Sequence, residues 1–171
     1  KKAVDNQMPA LALTDHGVMY GAVEFYKKAK KAGLKPIIGV EVYVARNGHL
    51  NKRAKIDEKP YHLILLAKNE IGYKNLVKLT TIAHLAGFYY KPRIDFELLE
   101  KYHDGLICLT ACLAGELASH IINDNIKAAR EMIIQYKNLF GAGNFYLEVQ
   151  RHPSIPKQQL VNEKIYELSK E

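Results

Sequence analysis

Four side chains of the kinds that bind metal ions lie at or near the ends of apolar runs in this sequence. Such runs are expected to form buried strands, and in α/β proteins ligands gather where the strands end. Mixed nitrogen, oxygen and sulfur donors suit zinc, or manganese where carboxylates dominate, and clustered divalent ions commonly hydrolyse phosphate esters. The four residues are His16, Glu41, His62 and Cys112.

Asp15 and His16 directly follow the apolar run Ala10–Leu13 and precede Gly17. A carboxylate and an imidazole at the exit of a strand are placed for metal chemistry. The alternative is a capped turn, in which Asp15 accepts a hydrogen bond from the backbone of the next helix and Gly17 relaxes the bend. The local sequence leaves both interpretations open.

Glu41 interrupts the expected strand 37–44, where a carboxylate needs a cation or a strong donor unless it faces solvent at a strand edge. His62 lies in the next apolar run, 61–67, and a lone histidine there is commonly a packing residue. If the two strands form a simple hairpin closed around 46–59, Glu41 and His62 are offset by about three residues, or about 10 Å. That distance is too long for both residues to bind one ion. We therefore expect either that the two strands are staggered or bulged, or that Glu41 and His62 bind different ions of a cluster.

Further candidates lie near the later strands. Cys112 follows an expected strand at a turn into a helix, where a thiolate could bind zinc, whereas Cys108 lies within that strand and is expected to be a small core residue. Glu148 ends another expected strand, and Arg151 and His152 follow it. These three residues could line the same crevice.

Strands alternate with amphipathic helices along the chain, which indicates an α/β fold. Strands are expected at 10–13, 37–44, 61–67, 105–110 and 144–149. Helices are expected at 19–29, 71–86, 96–100, 126–140 and from Pro156 onward. The segment 46–59 is polar and basic, and because no crossover helix fits there, the strands that flank it are expected to be antiparallel neighbours. The helix that closes at Gly141 is expected to be capped by Asn123 or Asp124.

Length and composition limit the class of protein. The chain has 171 residues, 48% of them hydrophobic, which predicts one domain over 1–171, and its ends look incomplete for an α/β pattern. No apolar run approaches the roughly 20 residues that span a bilayer, and no signal peptide is present, so we expect a cytoplasmic protein without a membrane partner. The two cysteines are not expected to pair. The net charge of +7 suits an anionic partner such as nucleic acid.

Longer stretches resemble a known family. Residues 10–26 and 35–43 resemble the polymerase and histidinol phosphatase (PHP) domain. Further stretches are similar to the PHP domains of bacterial replicative DNA polymerase III alpha subunits, in the same order along the chain. They include Tyr90-Lys-Pro-Arg93 and Ala111-Cys-Leu-Ala-Gly-Glu116, which free-standing small-molecule phosphatases of the superfamily lack.

The resemblance implies a fold and a metal centre. The fold would be a distorted (β/α)7 TIM-like barrel, partial here because its N- and C-terminal strands are missing. The intact domain can hold a three-metal cluster of zinc or manganese. By motif match, the resemblance makes His16, Glu41, His62 and Cys112 metal ligands. It also implies that Asp15 orients one of these metal ligands and that Asp15, His16 and Glu41 are the catalytic residues.

The resemblance also implies an activity. The parent chain would be a DNA-directed DNA polymerase that uses Mg²⁺, and its partners would be DNA and other replisome subunits. This portion would be a metal-dependent phosphoesterase of the 3′–5′ exonuclease type, inactive alone because an N-terminal His-x-His pair and a C-terminal Asp-x-His pair of the family are absent. The alternative is a non-catalytic module that stabilises the polymerase and docks the proofreading exonuclease subunit.

Overall fold

A computed structural model describes all residues, Lys1–Glu171, as alternating strands and helices, which confirms the α/β class. The strands are β1 (Ala10–His16), β2 (Lys35–Val44), β3 (Tyr61–Ala67), β4 (Arg93–Ile94), β5 (Leu106–Leu109) and β6 (Phe145–Tyr146). The helices are α1 (Lys2–Asp5), α2 (Ala22–Lys31), α3 (Glu70–Leu85), α4 (Phe96–Tyr102), α5 (Glu116–Ile122), α6 (Ile126–Phe140) and α7 (Pro156–Leu168). None of these helices combines the length and the apolar character needed to cross a membrane.

All six strands belong to one sheet with the order β1-β2-β3-β5-β6, and β4 pairs with β2 beyond the end of β1. β3 runs antiparallel to both of its neighbours, which confirms the predicted pairing across the segment 46–59, and the other pairings are parallel. The beginning of β3 therefore lies at the same edge of the sheet as the ends of β1, β2 and β5. The sheet is open, so the predicted TIM-like barrel is not confirmed for this chain.

One face of the sheet forms the core with the helices. Alternate residues of a strand point to opposite faces, and Val40, Val42, Leu63 and Leu65 face a single hydrophobic cluster that includes side chains from α3 to α7. The alternate residues of these strands and of β5 point to the other face of the sheet, where aliphatic side chains are only half-buried. These side chains are Ile37, Ile64, Leu66, Ile107 and Leu109.

The strands of the structure differ from the expected strands in several places. β1 extends to His16 rather than ending at Leu13, because its parallel ladder with β2 continues to the pair His16 and Glu41. The strand expected over 144–149 is only Phe145–Tyr146, since the Glu148 N–H donates to the Thr110 hydroxyl rather than to a neighbouring strand. β4 was not expected at all, because two residues carry no periodic signal.

The cap predicted for α6 is also wrong by one or two residues. Asn125, not Asn123 or Asp124, caps this helix, and its side chain accepts a hydrogen bond from the Ala128 N–H at 3.2 Å. Asp124 instead has a left-handed backbone, with φ of 54°, which belongs to the turn before the helix. The three polar residues are adjacent in sequence, so composition alone does not distinguish them.

Candidate metal centre

Glu41 lies between two histidines. The parallel register of β1 and β2 pairs Glu41 with His16, and the antiparallel register of β2 and β3 pairs His62 with Tyr43, two residues along the same face. Glu41 Oε1 is 2.6 Å from His62 Nδ1, and Glu41 Oε2 is 3.6 Å from His16 Nε2. The predicted 10 Å gap between Glu41 and His62 is therefore wrong, because the offset is two residues and the side chains reach diagonally across it.

Cys112 joins this group from the loop after β5. Its sulfur is 3.6 Å from His62 Nδ1 and 4.0 Å from Glu41 Oε1. The loop is held against the start of β3, since the His62 N–H donates to the Ala114 carbonyl at 3.1 Å. Gly115 permits this approach, because a Cβ there would lie 2.3 Å from the Thr110 carbonyl oxygen. The structure thus brings together His16, Glu41, His62 and Cys112, which we call the donor cluster.

The donor cluster is electrostatically coupled. The Cys112 sulfur, followed by the Glu41 carboxylate, raises the pKa of His62 to about 9 from its ordinary value of 6.5. The hydrogen bond from His62 lowers the pKa of Glu41, and the same imidazole lowers the pKa of the Cys112 thiol. In the metal-free protein, a proton on His62 therefore lies between two groups that favour negative charge. A metal cation could take the place of that proton.

Two spacings within the donor cluster fit a metal ion. Zinc binds nitrogen and oxygen at about 2.0–2.1 Å and sulfur at about 2.3 Å, so tetrahedral ligand atoms lie roughly 3.3–3.6 Å apart. The distances of 3.6 Å from His16 to Glu41 and from Cys112 to His62 are close to this spacing. The 2.6 Å hydrogen bond between His62 and Glu41 is shorter and would open as an ion entered. The His16 side chain is 61% exposed, so the open side of the cluster faces solvent through it.

Asp15 lies on the opposite face of β1 from His16. Its carboxylate accepts a hydrogen bond from the Gly21 N–H at 3.1 Å, at the start of α2. This is the helix contact that the capped-turn interpretation requires. The structure records no contact between Asp15 and the donor cluster, so its predicted catalytic role has no support from this geometry.

Glu148, Arg151 and His152, the candidate residues after β6, make no hydrogen bond or ion pair with the donor cluster. Glu148 Oε1 accepts a hydrogen bond from the Gln150 side chain at 2.8 Å, and its other carboxylate oxygen is buried without a partner. Arg151 and His152 are exposed, and neither side chain makes a recorded hydrogen bond or ion pair. Their position in a shared crevice stays a prediction. Cys108 is fully buried, which confirms its place in the core, and both cysteines are free.

Tyr43 is a neighbour of the donor cluster that sequence reasoning missed. Its ring centroid lies 5.1 Å from that of His62 and 6.5 Å from that of His16, and the residue is buried. It also supports Gly17, where a Cβ would lie 3.0 Å from the Tyr43 ring and 2.8 Å from Pro92. The sequence signal that could have identified Tyr43 is its position two residues after Glu41, because residues at that spacing share one face of β2.

Zinc affinity of the donor cluster should rise with pH. Metal binding must displace the proton that His62 holds up to a pKa of about 9, so between neutral pH and about 9 the affinity gains up to tenfold per pH unit from this group. Competition titrations of zinc across this range measure the slope. In the double variant His62→Gln, Cys112→Ser the binding is weaker and its pH dependence over that range is lost, because His62→Gln alone would leave a proton on the Cys112 thiol. An equal slope in the double variant and the unmodified chain would contradict the assignment of the proton to this pair.

Comparison with known proteins identifies the family of this chain. Residues 1–152 match the family described as "PHP domain", and the chain belongs to this family. Over 171 residues it is 52% identical to the DNA polymerase III subunit alpha of Borreliella burgdorferi, a match that covers 99% of this chain and 15% of that protein. It is 48% identical over 144 residues to the corresponding protein of Treponema pallidum and 43% identical over 176 residues to that of Aquifex aeolicus. These matches cover 84% and 99% of this chain but only 12% and 15% of the relatives, so the chain spans a small part of their length.

Proposed function

We propose that this chain is the PHP portion of a DNA polymerase III alpha subunit and that its donor cluster binds zinc or manganese for phosphodiester hydrolysis of the 3′–5′ exonuclease type. The observation that carries the proposal is the placement of Glu41 between two imidazoles, 2.6 and 3.6 Å away, with a cysteine sulfur 3.6 Å from one of them. Three of these donors, His16, Glu41 and His62, have ligand atoms within 4.8 Å of one another. Four separate segments of the chain converge there.

Each residue has a role that follows from its position. A divalent ion held there would supply an activated water and neutralise phosphate charge. Glu41 would bind the ion through a carboxylate that is already ionised, since its pKa is lowered. His62 and Cys112 would hold the ion from the protected side, where His62 packs against Tyr43. His16 would bind the ion from the solvent-exposed side of the donor cluster, from which a phosphate can approach.

The proposed role is divided between this chain and the rest of the parent protein. A three-metal cluster needs more ligands than the four donors described, so we propose that this chain alone binds metal without hydrolysing DNA. Mg²⁺-dependent DNA synthesis, contacts with DNA during that synthesis and contacts with other replisome subunits would belong to the parent as a whole.

A structural role is the second candidate, and the uncovered aliphatic face of the sheet favours it. Ile64, Leu66, Ile107 and Leu109 are only half-buried there, which suits contact with a further segment or subunit. In this role the module would stabilise the polymerase or dock its proofreading exonuclease. The two roles differ in whether removal of a donor changes hydrolysis.

The test uses a polymerase that carries this chain within its full length. His16→Ala and Glu41→Ala should abolish bound zinc or manganese and the release of nucleotides from the 3′ end of a labelled single strand. Primer extension should continue, because the polymerase chemistry lies elsewhere. His103→Ala and Glu97→Ala are matched controls that remove the same side-chain types outside the donor cluster. Unchanged nucleotide release in both cluster variants would overturn the catalytic proposal and leave the structural role.

A further inference from the structure

A surface beside the donor cluster combines positive charge with exposed aromatic rings. It consists of the segment 46–59, between β2 and β3, and the turn 88–91, between α3 and β4, which together we call the basic-aromatic surface. The segment 46–59 contains five basic and two acidic residues. The turn 88–91 adds Lys91 and two exposed rings, those of Phe88 and Tyr90.

The two parts are joined by one buried arginine. Arg93 is fully buried, and its guanidinium donates to the carbonyl oxygens of His49 at 3.0 Å, Asn51 at 2.7 Å and Asp57 at 2.9 Å. Its Nε donates to the Gly87 carbonyl at 3.0 Å, directly before the turn. The segment and the turn are therefore fixed relative to each other before any ligand binds, which lowers the entropy cost of binding.

Both acidic side chains of this surface accept local hydrogen bonds. Asp57 is buried and accepts hydrogen bonds from the Arg53 guanidinium at 2.8 and 3.1 Å, and the Arg53 side chain lowers its pKa. Glu58 accepts a hydrogen bond from the Lys55 N–H at 2.8 Å. The exposed ammonium groups of Lys52, Lys55 and Lys59 make no ion pair. Because none of these three ammonium groups is paired with a carboxylate, the surface suits an anionic partner.

The aromatic part distinguishes a single strand from a duplex. Tyr90 is 65% exposed, and its ring lies edge-to-face with that of Tyr89 at a centroid distance of 4.7 Å, so much of its ring surface is open to solvent. Its backbone has φ of 56°, a left-handed conformation that aromatic residues rarely adopt, and this turn projects the ring outward. Unpaired bases stack on such rings, whereas the base faces of a duplex are covered by their neighbours.

We propose that the basic-aromatic surface binds single-stranded nucleic acid, with backbone phosphates on Lys52, Lys55 and Lys91 and a base on Tyr90. Lys91 would guide the strand toward the donor cluster, since its Nζ lies 5.5 Å from the centroid of the Tyr43 ring, which packs on His62. This last step depends on the proposed function, but the binding itself does not. A phosphate track of this kind would present a strand end to a hydrolytic centre.

The test measures binding of a fluorescent oligothymidylate to this chain by anisotropy, in EDTA and over a range of salt concentrations. Replacing Lys52, Lys55 and Lys91 by Gln should weaken binding at least tenfold and lower the slope of log affinity against log salt by about two. Replacing Lys27, Lys30 and Lys31 on α2 by Gln removes the same charge from another exposed surface and should leave that slope unchanged.

Tyr90→Gly tests stacking, because glycine accepts the left-handed backbone and keeps the turn while the ring is lost. It should weaken binding of the single strand roughly fivefold or more. Absence of binding by the unmodified chain, or equal losses in the two lysine variants, would overturn the proposal. So would a duplex bound as tightly as the single strand. Because EDTA removes metal, these results are independent of the hydrolysis assay that tests the proposed function.

Discussion

Replacing Glu41 by Gln should lower the zinc affinity of this chain roughly a hundredfold or more, which corresponds to about 2.7 kcal/mol. The amide has almost the same shape as the carboxylate but carries no charge, so an ion between His16 and His62 loses its anionic ligand. The effect is expected to be large because Glu41 is the donor that contacts both histidines, at 3.6 and 2.6 Å. Calorimetric or competition titrations with zinc and with manganese measure it.

Glu97→Gln is the matched control, because it makes the same chemical change on the exposed surface of α4. It should leave the affinity for both metals unchanged. Similar affinities for Glu41→Gln and for the unmodified chain would show that the donor cluster does not bind the ion through its carboxylate. A comparable loss in Glu97→Gln would instead indicate nonspecific binding of metal to surface acids.

The second large effect is expected at Arg93, where Arg93→Met should destabilise the fold by about 3–5 kcal/mol. Burial lowers the pKa of this guanidinium, yet its hydrogen bonds to four backbone carbonyl oxygens compensate for the lost water. Methionine fills a similar length but donates nothing, so buried carbonyl oxygens are left without partners. Three of them belong to His49, Asn51 and Asp57, in a segment without regular secondary structure, and depend on this one side chain.

Urea unfolding followed by circular dichroism measures the change. Arg93→Lys should recover only part of the loss, because an ammonium cannot reach carbonyl oxygens arranged around a planar guanidinium. Arg130→Met is the control, since Arg130 is half-exposed and its ion pair with Glu171 is expected to contribute less than about 1 kcal/mol. If Arg93→Met costs no more than Arg130→Met, the buried guanidinium is not what holds the segment 46–59.

Much of the fold could be predicted from local patterns. Apolar runs marked the strands other than β4, helical periodicity marked most helices, and the polar segment 46–59 correctly indicated that β2 and β3 are antiparallel. The four residues of the donor cluster were also visible, because His16, Glu41, His62 and Cys112 are polar or reactive residues at or near the ends of apolar runs. These signals are local in sequence, and local composition carries them.

The tertiary structure alone decided how these residues meet. In the register of β2 and β3, His62 is offset from the partner of Glu41 by two residues rather than the expected three. Only the pairing of β1 with β2 directed Asp15 toward α2 and His16 toward Glu41. Arg93 illustrates the same limit, since its partners are backbone carbonyl oxygens, which every residue carries and no sequence pattern marks. The sequence by itself therefore determined which side chains could do chemistry, whereas pairing energies between distant segments determined which of them touch.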